Sequence, residues 1–204
     1  MSIWFVRHGE TDGNVQHILQ RPDIPLNERG LWQARQVAVR LSALSAAQIV
    51  SSDLTRAQMT ADAIARATGT RPAVELTPLL AERNFGDLRG TPYSAIGADP
   101  FAPDFVPPNG ESWDAFHARI AEAFAMIVRQ KQRVPGAMIV VTHGLVCRAL
   151  AQRHLTLPTG QGAPDRFGNT SVTEVEAIEP YRVRLLNSTT HLNDADVADG
   201  GAAQ

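Results

Sequence analysis

The chain has 204 residues, a length that suits one domain and allows roughly 70% of the unfolded surface to be buried without disulfide or metal support. With 44% hydrophobic and 20% charged residues it is neither disordered nor fibrous. Its formal charge of −2 lacks the basic excess of a nucleic-acid or membrane-surface binder, so neither partner is expected.

The longest apolar run, residues 123–128, is far short of the ~20 needed to span a bilayer. Arg7 interrupts the N-terminal apolar stretch before a signal-peptide core forms, so the mature chain is expected to begin near Met1. A lone Cys147 cannot pair internally, which fits a reducing compartment, and a cytoplasmic protein is expected.

Residues 2–6 are apolar without a helical period and read as a buried strand. Asn27 then caps a helix whose apolar positions Leu31, Ala34, Ala38 and Leu41 recur every three or four residues. A second strand is expected at 48–51. Asp53 is the candidate cap of the next helix, with Ala57, Thr60, Ala61, Ile64 and Ala67 on one face and Gly69 as its stop. A weaker strand follows at 73–76.

Residues 83–110 carry five Pro and four Gly and read as a long loop over the sheet. A third helix covers about 111–131, with the stripe Trp113, Phe116, Ile120, Phe124 and Ile127. A strand at 138–142 leads into a fourth helix from about 145 to 155. Residues 171–178 and 181–186 form an antiparallel pair at one edge. The fold class is therefore α/β, a three-layer α/β/α sandwich with a mostly parallel central sheet. One domain is expected over 1–192, and a disordered tail over 193–204.

In an open parallel sheet, ligands gather beyond the carboxyl ends of the strands. The first strand delivers Arg7 and His8, with Asn14 shortly after. The second leads to Arg56 in the first turn of its helix, whose side chain tilts back toward the strand end. Glu82 follows the weak third strand, and the central strand at 138–142 delivers His143 and Gly144. Two guanidiniums beside two imidazoles favour an anion, and the fork of Arg matches phosphate oxygens. Backbone N–H groups at Gly144 and the helix it opens add an anion-binding edge. Two cationic Arg side chains disfavour a divalent ion, so no metal and no cofactor is expected.

This set supplies what metal-free phosphoryl transfer needs. His8 is the candidate nucleophile, because neutral imidazole attacks phosphorus at pH 7. Arg7, Arg56, Asn14 and His143 balance the charge of the transferring group. Glu82 is the candidate acid, and Glu10 is a second carboxyl close to the first strand. Bland roles are also open: Arg56 pairs with Asp53, Asn14 caps a turn, and His17, His117, His154 and His191 are structural or surface residues.

Taken in order, Arg7-His8-Gly9-Glu10-Thr11 with Asn14, Pro25-Leu26-Asn27-Glu28-Arg29-Gly30, and Ser51-Ser52-Asp53-Leu54-Thr55-Arg56-Ala57 open a longer pattern. Glu82 with Phe85-Gly86-Asp87-Leu88-Arg89-Gly90, Gly110-Glu111-Ser112, Val141-Thr142-His143-Gly144 and Asn169-Thr170-Ser171-Val172-Thr173 complete it. Together they resemble the histidine phosphatase superfamily, also called phosphoglycerate mutase-like. The resemblance implies an α/β/α fold and transfer through a phosphohistidine on His8, with Glu82 as proton donor. It also implies Arg7, Arg56, His143 and Asn14 as phosphate ligands. Family mutases that need a bisphosphate carry a long insertion between the acid and the second His. Only 60 residues (83–142) separate Glu82 from His143, which favours a phosphatase acting on a small phosphorylated metabolite. A mutase-type transfer and a non-catalytic phospho-ligand module are the alternatives. One departure is local: where family phosphatases often read Gln-Gly-x-x-Asp-x-Pro-Leu, this chain has Gln20-Arg21-Pro22-Asp23-Ile24-Pro25-Leu26. Arg21 either reaches a second acidic group on the substrate or is a solvated surface residue.

Overall fold

The computed structural model describes residues 2–192; the tail expected at 193–204 lies outside them. Six strands form one sheet in the order β3-β2-β4-β1-β5-β6: β1 (Ser2–Arg7), β2 (Ala46–Ser52), β3 (Val74–Thr77), β4 (Ala137–Thr142), β5 (Val172–Glu176) and β6 (Val183–Ser188). Neighbours β3, β2, β4 and β1 pair in parallel, while β5 runs antiparallel to both β1 and β6.

The strands alternate faces with a period of two, and that alternation builds both cores. Ile3 and Phe5 of β1 join Met138 and Val140 of β4 on one side, packed against α4 (Trp113–Lys131) and α5 (Gly144–Arg153). Val6, Ile139 and Val141 face the other side, against α2 (Glu28–Leu41) and α3 (Thr55–Ala67). A mostly parallel sheet between two helical layers is thus observed. Phe116, Ile120, Phe124 and Ile127 of the expected stripe are buried. No described helix is long and apolar enough to cross a membrane.

Asn27 caps α2 as its residue type suggests, accepting the Gly30 N–H at 2.8 Å. Asp53 does not cap α3. Leu54 occupies that place, and its N–H goes to the Ser52 hydroxyl at 3.2 Å, leaving Asp53 exposed. Ser112 caps α4, so that helix begins two residues later than expected. A one-turn helix, α1 (Asp12–Val15), stands on a capping box between Thr11 and Asn14. The irregular 83–110 segment contains two short 3-10 turns, Gly86–Leu88 and Tyr93–Ala95.

Gly30 is required by close approach. A Cβ there would sit 2.0 Å from the Glu10 carbonyl oxygen, so the first turn of α2 presses directly on the chain leaving β1. The Asn27 N–H to Glu10 carbonyl bond and the Glu10 N–H to Gln33 Oε1 bond, 3.1 and 2.8 Å, hold that contact.

Candidate active site

Strand register brings the two motif histidines together. Arg7 pairs with Thr142 in the β1–β4 ladder, and the His8 N–H donates to the Thr142 carbonyl at 2.9 Å. His8 and His143, one residue beyond each partner, therefore leave the sheet side by side, with ring centroids 5.0 Å apart and planes at 60°. Both are buried. His8 Nδ1 lies 2.6 Å from the Gly9 carbonyl oxygen. A carbonyl only accepts, so Nδ1 carries the proton and Nε2 keeps its lone pair.

His143 is held from β2: Ser51 pairs with Val141, and the next residue, Ser52, places its hydroxyl 2.8 Å from His143 Nε2. The other ring nitrogen, Nδ1, is buried without a protein partner among the described residues. The same is true of Arg7 Nε and Arg56 Nε. Three buried polar nitrogens without a protein acceptor, on two arginines that act electrostatically on His8 and on the imidazole beside it, give a cradle able to receive an anion. Arg7 Nη1 is anchored on the Phe167 carbonyl, and Arg56 Nη1 donates to the Arg21 carbonyl at 3.1 Å. Arg56 makes no ion pair with Asp53 among the described residues.

The electrostatics follow from burial beside like charge. His8 and His143 are held well below the ordinary imidazole range, first by desolvation and then by Arg56, with Arg7 adding to both. Both rings are neutral at pH 7. Arg56 is lowered to about 10, mainly by burial, and remains charged.

Glu82 follows the 3-10 turn Pro78–Leu80. Its Oε1 accepts the Arg83 N–H at 3.1 Å and its Oε2 the Leu145 N–H in the first turn of α5 at 3.3 Å. Burial raises its pKa above the carboxylate value, and the backbone bonds, Arg56 and Arg7 pull the other way. Glu10 is turned elsewhere: Asn27 Nδ2 donates to its Oε1 at 3.0 Å, and Arg29 Nε lies 3.9 Å from its Oε2.

The remaining expected residues fall as follows. Gly144 lies against Arg7, whose Nε would stand 3.5 Å from a Cβ placed on the glycine. Asn14 Oδ1 accepts from the Thr11 N–H at 3.2 Å and takes a 3.3 Å bond from Asn169 Nδ2. Its carbonyl end thus serves the local cap, as its residue type also allows. The Arg21 side chain is exposed at the rim. In sequence Ser52 and Asn169 stand out only as members of motifs, with no role of their own. The Asn169 amide also donates to the His8 carbonyl at 3.1 Å, fixing the backbone that carries the imidazole. Of the other histidines, His191 bridges Arg40 and Thr170, and His154 stacks on Phe124. No three His, Cys, Asp or Glu side chains gather to hold a metal ion among the described residues.

The family model "Histidine phosphatase superfamily (branch 1)" matches residues 3–189. The chain belongs to the histidine phosphatase superfamily. Two relatives are the "Uncharacterized phosphatase PhoE" of Bacillus subtilis and the "Probable phosphoglycerate mutase GpmB" of Cronobacter sakazakii. The first is 33% identical over 94% of this chain and 97% of its own. The second is 32% identical over 86% and 85% respectively. Among solved structures, a mycobacterial glucosyl-3-phosphoglycerate phosphatase complexed with VO3 superposes with a TM-score of 0.77 at 30% identity, covering 92% of this chain and 99% of that one. With phosphatase-named relatives at this identity, the expectation of a histidine phosphatase enzyme holds.

Proposed function

We propose that this histidine phosphatase hydrolyses a small phosphomonoester through a phosphohistidine on His8 Nε2, without metal. One observation carries the reading: the Gly9 carbonyl holds the His8 Nδ1 proton, which leaves Nε2 as a neutral nucleophile beside the unpartnered nitrogens of Arg7, Arg56 and His143.

In the first step the Nε2 lone pair forms a bond to phosphorus as the phosphorus–ester oxygen bond breaks. Glu82, whose hold on a proton is strengthened by its desolvated setting, gives that proton to the leaving oxygen. Arg7, Arg56 and His143 neutralise the equatorial oxygens throughout. In the second step the Glu82 carboxylate takes a proton from water, the water oxygen bonds phosphorus, and the N–P bond breaks. Inorganic phosphate leaves, and His8 and Glu82 return to their starting protonation. The cradle draws on residues from Arg7 to Asn169, which supports one catalytic domain over 1–192. The single buried Cys147 supports a cytoplasmic setting.

Incubation with p-nitrophenyl phosphate and EDTA, followed by rapid acid or alkaline quench, tests the mechanism. Undiminished turnover and an alkali-stable, acid-labile phosphoenzyme are expected. Loss of turnover to the chelator, or no trapped phosphate at all, defeats it. The mutase-named relative favours a second reading, transfer between the hydroxyls of phosphoglycerate. Phosphate released to water separates the two, and the short 83–142 span favours release. A binding module without turnover is disfavoured by the presence of both nucleophile and acid.

A further inference from the structure

In-line displacement sets the leaving oxygen opposite His8 Nε2, on the side where Glu82 gives its proton. The rest of the alcohol therefore lies beyond Glu82. A cleft of about 410 Å³ opens there, lined by Glu82, Asn84, Arg89, Glu111 and Arg119 among others. That volume suits a small organic group.

The charges of this cleft are unequal in commitment. Arg119 grips Glu111 through two 2.8 Å bonds and donates Nη1 to the carbonyls of Leu79 and Ala81, also at 2.8 Å. Glu111 additionally accepts the Asn84 N–H at 3.1 Å, so the pair is neutral and saturated. Arg89 is different. It is half-buried, and its guanidinium makes no hydrogen bond or ion pair among the described residues. It stands within electrostatic reach of Arg56, a cation against a cation. Two like charges held together in the free protein are relieved by an anion placed between or beside them.

Arg21 adds a second uncommitted cation on the same rim. The adjacent Gly90 has φ +91, and Arg21 Nε lies 3.1 Å from where a Cβ on it would stand. A short backbone ladder fixes the arrangement: the Gly90 N–H reaches the Leu19 carbonyl at 2.5 Å, the Leu19 N–H the Thr91 carbonyl at 3.0 Å, and the Tyr93 N–H the His17 carbonyl at 2.8 Å. Both arginines thus sit on one stitched edge rather than on two independent loops.

We infer that Arg89, assisted by Arg21, forms a second anion subsite, and that the preferred substrate is an ester whose alcohol carries a further carboxylate or phosphate. This rests on the phosphomonoesterase reading and narrows its substrate class. Arg89 acts on specificity, because its partner is the leaving alcohol and not the transferring phosphoryl group.

The test compares kcat/KM within each enzyme for ester pairs that differ in that group. 3-Phosphoglycerate against glycerol 3-phosphate reads a carboxylate, and fructose 1,6-bisphosphate against fructose 6-phosphate reads a second phosphate. A charge-assisted bond predicts a preference of roughly tenfold to a hundredfold for the acidic member of at least one pair. Arg89→Ala should reduce that ratio to within about threefold of unity, Arg89→Lys should keep part of it, and Arg89→Glu should turn the enzyme toward ethanolamine phosphate. Taking ratios cancels any general loss of activity, and the Lys variant covers a failure of the Ala variant to fold. No preference in the unaltered enzyme, or a preference that survives Arg89→Ala, overturns the subsite. Inactivity toward p-nitrophenyl phosphate as well would overturn the phosphatase reading instead.

Discussion

The cradle and the rim of this site are held by different forces. In the cradle, His8, His143 and Ser52 stand at the ends of three adjacent paired strands, and the ladder sets the spacing of their backbones. In the rim, segments 16–24 and 83–110 have almost no regular structure and depend on individual long-range bonds. Arg83 is the clearest case. Its buried guanidinium donates to the carbonyls of Glu111 at 3.0 Å, Pro100 at 3.1 Å and Phe105 at 2.6 Å, and it stacks 4.0 Å from the Trp113 ring centroid. A buried cation held by carbonyls and an aromatic face, without a carboxylate, organises the loop right after Glu82, the proposed acid. Chemistry fixed by register should be common to every ester, whereas a rim built from separable contacts can change with the alcohol it receives.

The largest effect should come from the centre of the cradle. His8→Ala removes the proposed nucleophile, so kcat should fall on the order of 10⁴-fold or more for every ester alike. Inorganic phosphate should still bind, measured by calorimetry, because Arg7, Arg56 and His143 remain. A variant that fails to fold, or one whose loss depends on the leaving group, would dissolve the distinction between cradle and rim.

Glu82 stands at the junction and should show both behaviours. Glu82→Gln should lower kcat for an alkyl phosphate by roughly 10²–10⁴-fold, yet affect p-nitrophenyl phosphate little, since nitrophenolate leaves without a proton. The pH dependence follows from the direction of its shift. In the proposed mechanism the protonated carboxyl is the active form, and its pKa is raised above 4.5, so alkyl-ester activity should fall as pH rises through that higher value. The proposed nucleophile is neutral His8, and its pKa is depressed, so the acid-side loss should begin only below the ordinary imidazole range. In Glu82→Gln the alkaline limb should vanish. Equal damage to both esters would remove Glu82 from the role of acid.

The parts legible from sequence were those governed by periodicity and order. Alternating apolar residues in β1 and β4 and the three-and-four spacing in α4 correspond to faces that pack as their patterns imply. The strand-end rule brought Arg7, His8, Arg56, Glu82 and His143 to one edge without reference to distance. What stayed hidden depends on backbone atoms or on competition among equals. The Phe167 carbonyl that anchors Arg7 belongs to no residue type, so no pattern marks it. Asp53 is the better capping residue, but the Thr55 N–H that it would accept goes to the distant Pro22 carbonyl at 3.2 Å, and the helix starts one residue later. Arg83 reads in sequence as one more loop cation, since three distant carbonyls leave no spacing signal.

The smallest expected effect concerns how far register alone positions the second imidazole. Ser52 Oγ accepts the Leu54 N–H at 3.2 Å and stands 2.8 Å from His143 Nε2. With its hydroxyl proton given to Nε2, His143 carries its own proton on Nδ1, the buried nitrogen that faces no protein acceptor and can donate to the phosphoryl group. Ser52→Ala leaves β2 and β4 paired but frees the ring to take either tautomer. The expected loss in kcat is about threefold to tenfold, of the size of one hydrogen bond. Ser52→Thr, which keeps the hydroxyl, should recover most of it. Nitrogen-15 shifts of the His143 ring give a readout that a merely structural role would not move: the Nδ1–H tautomer should dominate in the unaltered enzyme and lose ground in Ser52→Ala. As a cradle residue, Ser52 should also leave the preference between acidic and neutral esters unchanged. An unaltered tautomer with an unaltered rate would mean that the strand ladder suffices to orient His143 and that the hydroxyl serves only the start of α3.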